Sequence, residues 1–256
     1  MMEKADELIE ALRSKSDDKQ RRILARFFKT GKGEYGEGDK FFGVRVPQVR
    51  SIVAEYKEIG LDEIAGLLQS EWHEVRLCGL LMLVSRFGKL CTKRFIDDEE
   101  AIKERDKIAE FYIDNAERIN NWDLVDLSAP KILGYWLMTP SRYSEKEKIM
   151  ALDRLANSGN LWKERISMIC TWGALQKGNP AFTLRYAERH LRHSHDLMHK
   201  AVGWMLREMG KRVSIELLRS FLSEHAAEMP RTALRYAIEK MSEEERKHWL
   251  SVKNKQ

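Results

Sequence analysis

Five segments of this chain read as variations on one helical theme. They begin at Glu74 (EVRLCGLLMLVSR), Leu124 (LVDLSAPKILGYW), Lys163 (KERISMICTWGAL), Met198 (MHKAVGWMLREMG) and Met229 (MPRTALRYAIEKM). Each has a polar residue at its third position, followed by a small or apolar run. Those third positions, Arg76, Asp126, Arg165, Lys200 and Arg231, follow one another at intervals of 50, 39, 35 and 31 residues. Recurrence at roughly 20–50 residues is the mark of a solenoid, in which two-helix units bury each other's apolar faces. The rest of the chain agrees. Only five prolines interrupt it, β-alternation is almost absent, and helical periodicity runs from end to end. It predicts helices over 3–14, 17–29, 47–58, 61–69, 71–88, 99–116, 121–138, 144–157, 161–176, 180–191, 196–211, 214–226, 230–240 and 242–250. The expected fold is all-α: a right-handed solenoid of antiparallel, HEAT-like helix pairs with a concave basic groove. A single domain is expected over 1–256, with N-terminal helices and a Gly-rich connection at 1–46, a repeat array at 47–250 and a tail at 251–256.

The stretch TGKGEYGEGDKFFGVRVPQVR, residues 30–50, satisfies G-x-G-x-x-G from Gly31 to Gly36. A dinucleotide loop needs a strand before it and a helix opening on it, so that the helix N-terminus meets the pyrophosphate. Here an amphipathic helix precedes the glycines, with apolar residues at 23, 24, 27 and 28. Downstream, Pro47 is a natural first helical residue because its missing N–H would be unpaired there anyway. The glycines therefore read as a long helix-to-helix connection.

Lys plus Arg number 45 against 40 Asp plus Glu, an excess of the sign expected for a nucleic-acid or anionic-surface partner, although an ordinary basic protein fits it equally. Cys78, Cys91 and Cys170 are odd in number and embedded in apolar helical runs, which suits reduced core residues rather than a disulfide or zinc framework. The N-terminal stretch is acidic and amphipathic without an apolar h-region, and no run of 18 or more apolar residues occurs. A cytoplasmic protein with no membrane partner is expected. The cluster HLRHSHDLMH holds His190, His193, His195 and His199, but Asp196 stands where H-E-x-x-H needs glutamate, and no third ligand follows. No metal is expected, and these histidines read as partial positive charge at a helix entry.

If the repeats align, four of the five third-position residues form a cationic row suited to a phosphate backbone. Asp126 interrupts that row with a carboxylate. A group that opposes binding inside a binding row is a candidate for chemistry, and a salt-bridge partner for nearby arginines is the other reading. Trp122, four residues earlier in NNWDLVD, shares a helix face with Asp126, with Asn120 or Asn121 as N-cap. Lys200 and Trp204 repeat the spacing, and the basic line continues through Arg207 and Lys211. Two indoles beside a carboxylate suit a cationic ligand; core packing is the alternative for both.

Four stretches, FFKTGKGEYGEGDKFFGVRVPQVR, NNWDLVD, LWKERISMI and HKAVGWMLREMGKR, resemble the AlkD-type DNA alkylation repair glycosylases, a family built from HEAT-like repeats. The resemblance spans nearly the whole chain. It implies an active site made of the tryptophan and last aspartate of WDxVD, the arginine of the next repeat and the tryptophan of the GW motif: here Trp122, Asp126, Arg165 and Trp204. It also implies excision of cationic purines such as N3-alkyladenine and N7-alkylguanine from duplex DNA without base extrusion. A capped solenoid can be a monomer, which is the state expected, and the proposed chemistry requires no cofactor. Arg45, Arg76, Lys200, Arg207, Lys211 and Arg231 are the expected DNA contacts. A catalytically silent DNA-binding solenoid or a protein-interaction scaffold are the competing readings, separated from the enzyme by base release and salt-sensitive duplex binding.

Overall fold

A computed structural model describes residues 3–56 and 59–253. The first two residues and the last three of the expected tail lie outside those described, as does the end of the helix expected over 47–58. Among the described residues every named element is helical, and the sole β-type contact is an isolated bridge between Lys40 and Trp72. The all-α expectation holds. The chain divides after Ser128 into two compact units.

The first unit comprises α1 (Glu3–Arg13), α2 (Asp18–Phe27), α3 (Val46–Glu55), α4 (Leu61–Leu68), α5 (His73–Leu90), α6 (Glu99–Asp114), a 3-10 turn at Ala116–Arg118, and α7 (Trp122–Ser128). Side-chain caps mark several of their starts, and α2 opens on Asp17 rather than on the Ser16 that the sequence offers. Asp17 accepts the N–H groups of Lys19 and Gln20 to open α2, Pro47 sits in the first turn of α3, and Asp98 accepts from Ala101 to open α6. The centre of the unit is α5, which packs against α1, α3, α4, α6 and α7. Every residue from His73 to Leu83 is buried, so this helix has no solvent face along its first three turns. It nevertheless carries His73, Glu74 and Arg76 there, and buried charges persist only when paired or hydrogen-bonded.

The second unit comprises α8 (Leu133–Leu137), α9 (Glu145–Ala156), α10 (Leu161–Ile169), α11 (Thr171–Leu175), α12 (Ala181–Arg189), α13 (Asp196–Arg212), α14 (Ile215–His225), α15 (Arg231–Ala237) and α16 (Glu243–Ser251). Its centre is α13, packed against α10, α11, α12, α14 and α15. The crossing with α15 depends on Gly203, because a Cβ there would stand 2.3 Å from the Ala233 carbonyl oxygen and 2.5 Å from Tyr236 Cβ. Gly203→Val is therefore expected to force the two helices apart, costing about 1–3 kcal/mol or more as overpacking does. Thermal unfolding monitored by circular dichroism checks this, and an unchanged melting temperature contradicts it.

Two expected helices are broken. The helix expected over 121–138 stops at Ser128 and resumes at Leu133, because Pro130 supplies no N–H and its ring crowds the preceding turn. The helix expected over 161–176 divides at Cys170 into α10 and α11. The Gly-rich stretch is a connection of turns between α2 and α3, as expected, and the described elements before it are helices.

Candidate active site

Within the first unit, α5 organises the Gly-rich connection through its buried charges. The Glu74 carboxylate accepts the backbone N–H groups of Phe42, Gly43 and Val44 at 3.0, 2.9 and 3.1 Å. The GVRVP stretch is thereby strapped to the start of α5. Gly43 adopts φ +90° with its backbone so close to α2 that a Cβ would lie 2.2 Å from the Asp17 carbonyl oxygen, a place open only to glycine. A second carboxylate from the connection, Asp39, accepts from Arg76 Nη2 at 2.7 Å and from His73 Nδ1 at 2.7 Å. The other ring nitrogen of His73 donates to Asp123 Oδ2 at 2.9 Å. Asp123 is the first acid of the WDLVD motif, so the chain of contacts ends on α7 beside Trp122.

Trp122 and Asp126 lie one turn apart on α7, both half-buried. The expected N-terminus is present: the Asn121 carbonyl accepts from Val125 N–H, and its side-chain oxygen accepts from Trp122 N–H at 2.9 Å. The indole stacks on Phe28 at a centroid distance of 5.4 Å and meets Phe27 edge-on at 5.8 Å. Phe28 in turn contacts His73 at 5.0 Å and stacks on Phe41 at 5.2 Å. Phe27 is 59% exposed, so an aromatic wall reaches from the core to the surface beside Trp122. Sequence reasoning placed Phe27 and Phe28 only on a helix stripe, and missed Asp39, His73 and Asp123. Their signal lay in the buried tract itself, since a polar trio opening an apolar helix demands partners.

Burial by itself would lower the basicity of His73, but the Asp123 and Asp39 carboxylates outweigh it and raise the imidazole to about 9 from its ordinary 6.5. Asp39 is likewise held below the usual carboxylate range, against burial, by His73 and Arg76. The two shifts are one interaction seen from its two partners. A raised histidine stabilises the fold fully below its unfolded value, about pH 6.5, and the contribution is lost as pH rises through about 9. The expected loss across that window is on the order of 3 kcal/mol, at about 1.4 kcal/mol per pH unit. Urea unfolding between neutral and alkaline pH tests it: the wild type weakens, and His73→Gln, weaker throughout, shows a flatter profile. Parallel profiles count against the charged-ring assignment.

In the second unit, Arg165 on α10 is 4% exposed, and its Nη1 donates to the Leu197 carbonyl in the first turn of α13 at 2.5 Å. Its charge is fixed inside the unit rather than displayed. Trp204 is half-buried on α13, next to the Gly203 crossing that sets how closely α13 and α15 approach.

The expected cationic row needs correction. Arg76 is 2% exposed and spent on Asp39 and the Ser70 carbonyl, so it cannot reach a phosphate. Arg231 donates Nη2 to the Val252 carbonyl, closing the end of α16. Arg207 is ion-paired with Glu239 and Glu208, which cancels most of its outward field. Lys200, 40% exposed, pairs with Asp196. Arg45 and Lys211 are exposed, and of the six expected contacts they are the ones suited to meet a backbone directly.

The histidine cluster is also structural. His190 lies 2.9 Å from Ser167 Oγ, and its burial drives it down to about 4. His193 meets Glu164 at 2.8 Å, His195 Nδ1 accepts the Leu197 N–H to cap α13, and His199 donates to the His193 carbonyl. Burial lowers His195 too, so the partial positive charge expected from this cluster is not supplied by His190 or His195. Among the described residues no group of three or more His, Cys, Asp or Glu is placed to hold a metal. No helix among them is long and apolar enough to cross a membrane.

Each unit is a set of helices packed around a central one, and α7 in the first unit carries an indole and a carboxylate one turn apart. Residues 8–241 match the family model described as DNA alkylation repair enzyme, and the chain belongs to that family. Among solved structures, a protein described as a predicted DNA alkylation repair enzyme from Enterococcus faecalis is similar at a TM-score of 0.62 and 13% identity, over 89% of this chain and 97% of that one. At that identity the likeness speaks for the fold. No curated protein matches the sequence. Family membership makes the chain an enzyme of alkylation DNA repair, with DNA as its substrate.

Proposed function

We propose that this protein is a monofunctional alkylpurine DNA glycosylase, in which both units serve one domain that acts as a monomer. It hydrolyses the N-glycosidic bond of cationic purines such as N3-alkyladenine and N7-alkylguanine in duplex DNA and leaves an abasic site. The observation that carries the reading is α7: Trp122 and Asp126 stand one turn apart on a helix whose start is tied down through Asp123 and whose indole is braced by Phe28.

The chemistry follows from the substrate. An alkylated purine already bears positive charge, so it departs with the bonding electron pair as a neutral base and needs no general acid. Positive charge then develops on the deoxyribose C1′. The Asp126 carboxylate stabilises that oxocarbenium character and orients the water whose oxygen bonds to C1′ as one of its protons passes to bulk water. Trp122 and Trp204 contact the sugar and the cationic nucleotide through their electron-rich faces, a contact worth about 0.5–2 kcal/mol. Arg165, buried against the start of α13, acts on the strand indirectly, by holding the helix that carries Lys200 and Trp204. Arg45 and Lys211 supply phosphate contacts, and Lys200 adds to them where DNA displaces Asp196.

Incubating the protein with duplex DNA containing N7-methylguanine and following free base and abasic sites tests this directly. Base release that disappears in Asp126→Asn supports it. Normal duplex affinity without release leaves a binding protein instead, and no salt-sensitive duplex binding at all leaves a scaffold.

A further inference from the structure

The hydrogen bonds around His73 define its charge by geometry. Nδ1 lies 2.7 Å from Asp39 Oδ2 and Nε2 lies 2.9 Å from Asp123 Oδ2. Ionised carboxylates only accept, so both ring nitrogens must donate, and only the imidazolium has two N–H groups. Charge balance leads to the same state. The cluster contains two carboxylates, Asp39 and Asp123, and two cations, Arg76 and His73. The side chains of Asp39, His73 and Arg76 are 3%, 3% and 2% exposed and that of Asp123 is 20% exposed, so a neutral ring would leave one carboxylate of a largely buried cluster without a counter-charge. The other groups around the ring carry no charge that could substitute. Asn121 Nδ2, 3.5 Å from Asp39 Oδ2, is neutral, the rings of Phe41 and Phe28 lie at 4.6 and 5.0 Å, and Glu74 is occupied by three backbone N–H groups.

We propose that His73 is a positioning residue for base excision, touching no substrate but holding Trp122 and the start of α7 in place by two routes. This rests on the glycosylase reading above. The first route is covalent neighbourhood: His73 grips Asp123, and Asp123 adjoins Trp122 in the chain. The second is aromatic: Phe28 contacts the His73 ring at 5.0 Å and stacks on the Trp122 indole at 5.4 Å. Loss of the ring proton removes one of the two hydrogen bonds, because a neutral imidazole keeps a single N–H. Whichever carboxylate is released, the tie from the Gly-rich connection through α5 to α7 is cut. The alkaline limit of the enzyme is then set in the scaffold, by a group remote from the DNA, and falls near pH 9 where His73 titrates.

The test is single-turnover release of N7-methylguanine from about pH 6 to about pH 10, for wild type, His73→Gln and Asp123→Asn. The wild-type rate is expected to fall with one ionisation near pH 9. His73→Gln is expected to bind methylated duplex with little change in Kd, to release base roughly tenfold or more slowly, and to lose the alkaline limb. Asp123→Asn is expected to move that limb to lower pH. Equal rates and superimposable profiles for wild type and His73→Gln overturn the proposal.

If His73→Gln does not fold, the wild type alone decides. Nitrogen-15 imidazole spectra must show both His73 ring nitrogens protonated at neutral pH, and Trp122 emission, assigned by difference from Trp122→Phe, must titrate with the same midpoint. A singly protonated ring at neutral pH, or Trp122 emission indifferent to the titration, overturns it. Should the wild type release no base from any alkylated duplex, the glycosylase reading fails by itself, while the imidazole spectra and the Trp122 titration still support or refute the clamp.

Discussion

Asp126→Asn is expected to lower single-turnover base release from a methylated duplex by about 10²–10³-fold, the usual cost of removing one preorganised electrostatic stabiliser. The exchange keeps the shape of the side chain and removes only its charge. If the carboxylate acts on the positive charge that develops at C1′, the loss falls on the chemical step, and the rate drops without a matching rise in Kd. Binding should hold or tighten, because a negative charge facing the phosphate backbone has been withdrawn. Gel-shift titration and single-turnover kinetics on the same duplex separate these outcomes. Weakened binding with an undiminished rate would take Asp126 out of the chemistry and make it an organiser of the groove.

Asp39→Ala is expected to destabilise the first unit by about 3–5 kcal/mol, as for any buried ion pair that loses one partner. The carboxylate is 3% exposed and holds both Arg76 and His73. Removing it takes away the carboxylate that pairs with Arg76 and leaves His73 bonded to Asp123 alone. In a chain of this size the melting temperature should fall by roughly 10 °C. The adjacent residue is an internal control. Lys40 pairs with Glu71 at 2.8 Å, close to the 2.7 Å of the Asp39 pairs, but its side chain is 53% exposed. Lys40→Ala is expected to change stability by less than about 1 kcal/mol. Similar melting shifts for the two variants would mean that the Asp39 cluster is wetter than its burial indicates.

The helices were legible because their determinants are local. Pro47 announces the start of α3 by chemistry confined to one turn, and the side chains of Asp17, Asp98, Asn160 and Ser214 cap their helices in the same local way. The breaks were harder. Pro130 carried a local signal that a strong apolar pattern on either side masked, and the division at Cys170 has no comparable breaker. The motif NNWDLVD singled out Trp122 and Asp126 correctly as neighbours on one helix, because a spacing of four fixes that on any α-helix.

The cationic row went wrong for a different reason. A repeat alignment gives equivalent positions, but it does not say whether an arginine at such a position meets solvent or a carboxylate from 37 residues away, as Arg76 meets Asp39.

By itself, then, the sequence determined the helical elements, the pairing of indole and carboxylate on α7, and the family. Tertiary structure alone decided which charges are displayed and which are consumed inside. It also decided that Asp39, His73 and Asp123, separated along the chain by 34 and 50 residues, meet in one buried cluster. The physical reason is that helix formation and capping depend on neighbours within a turn or two, whereas the state of an ionisable side chain depends on its burial and on partners brought close only by packing.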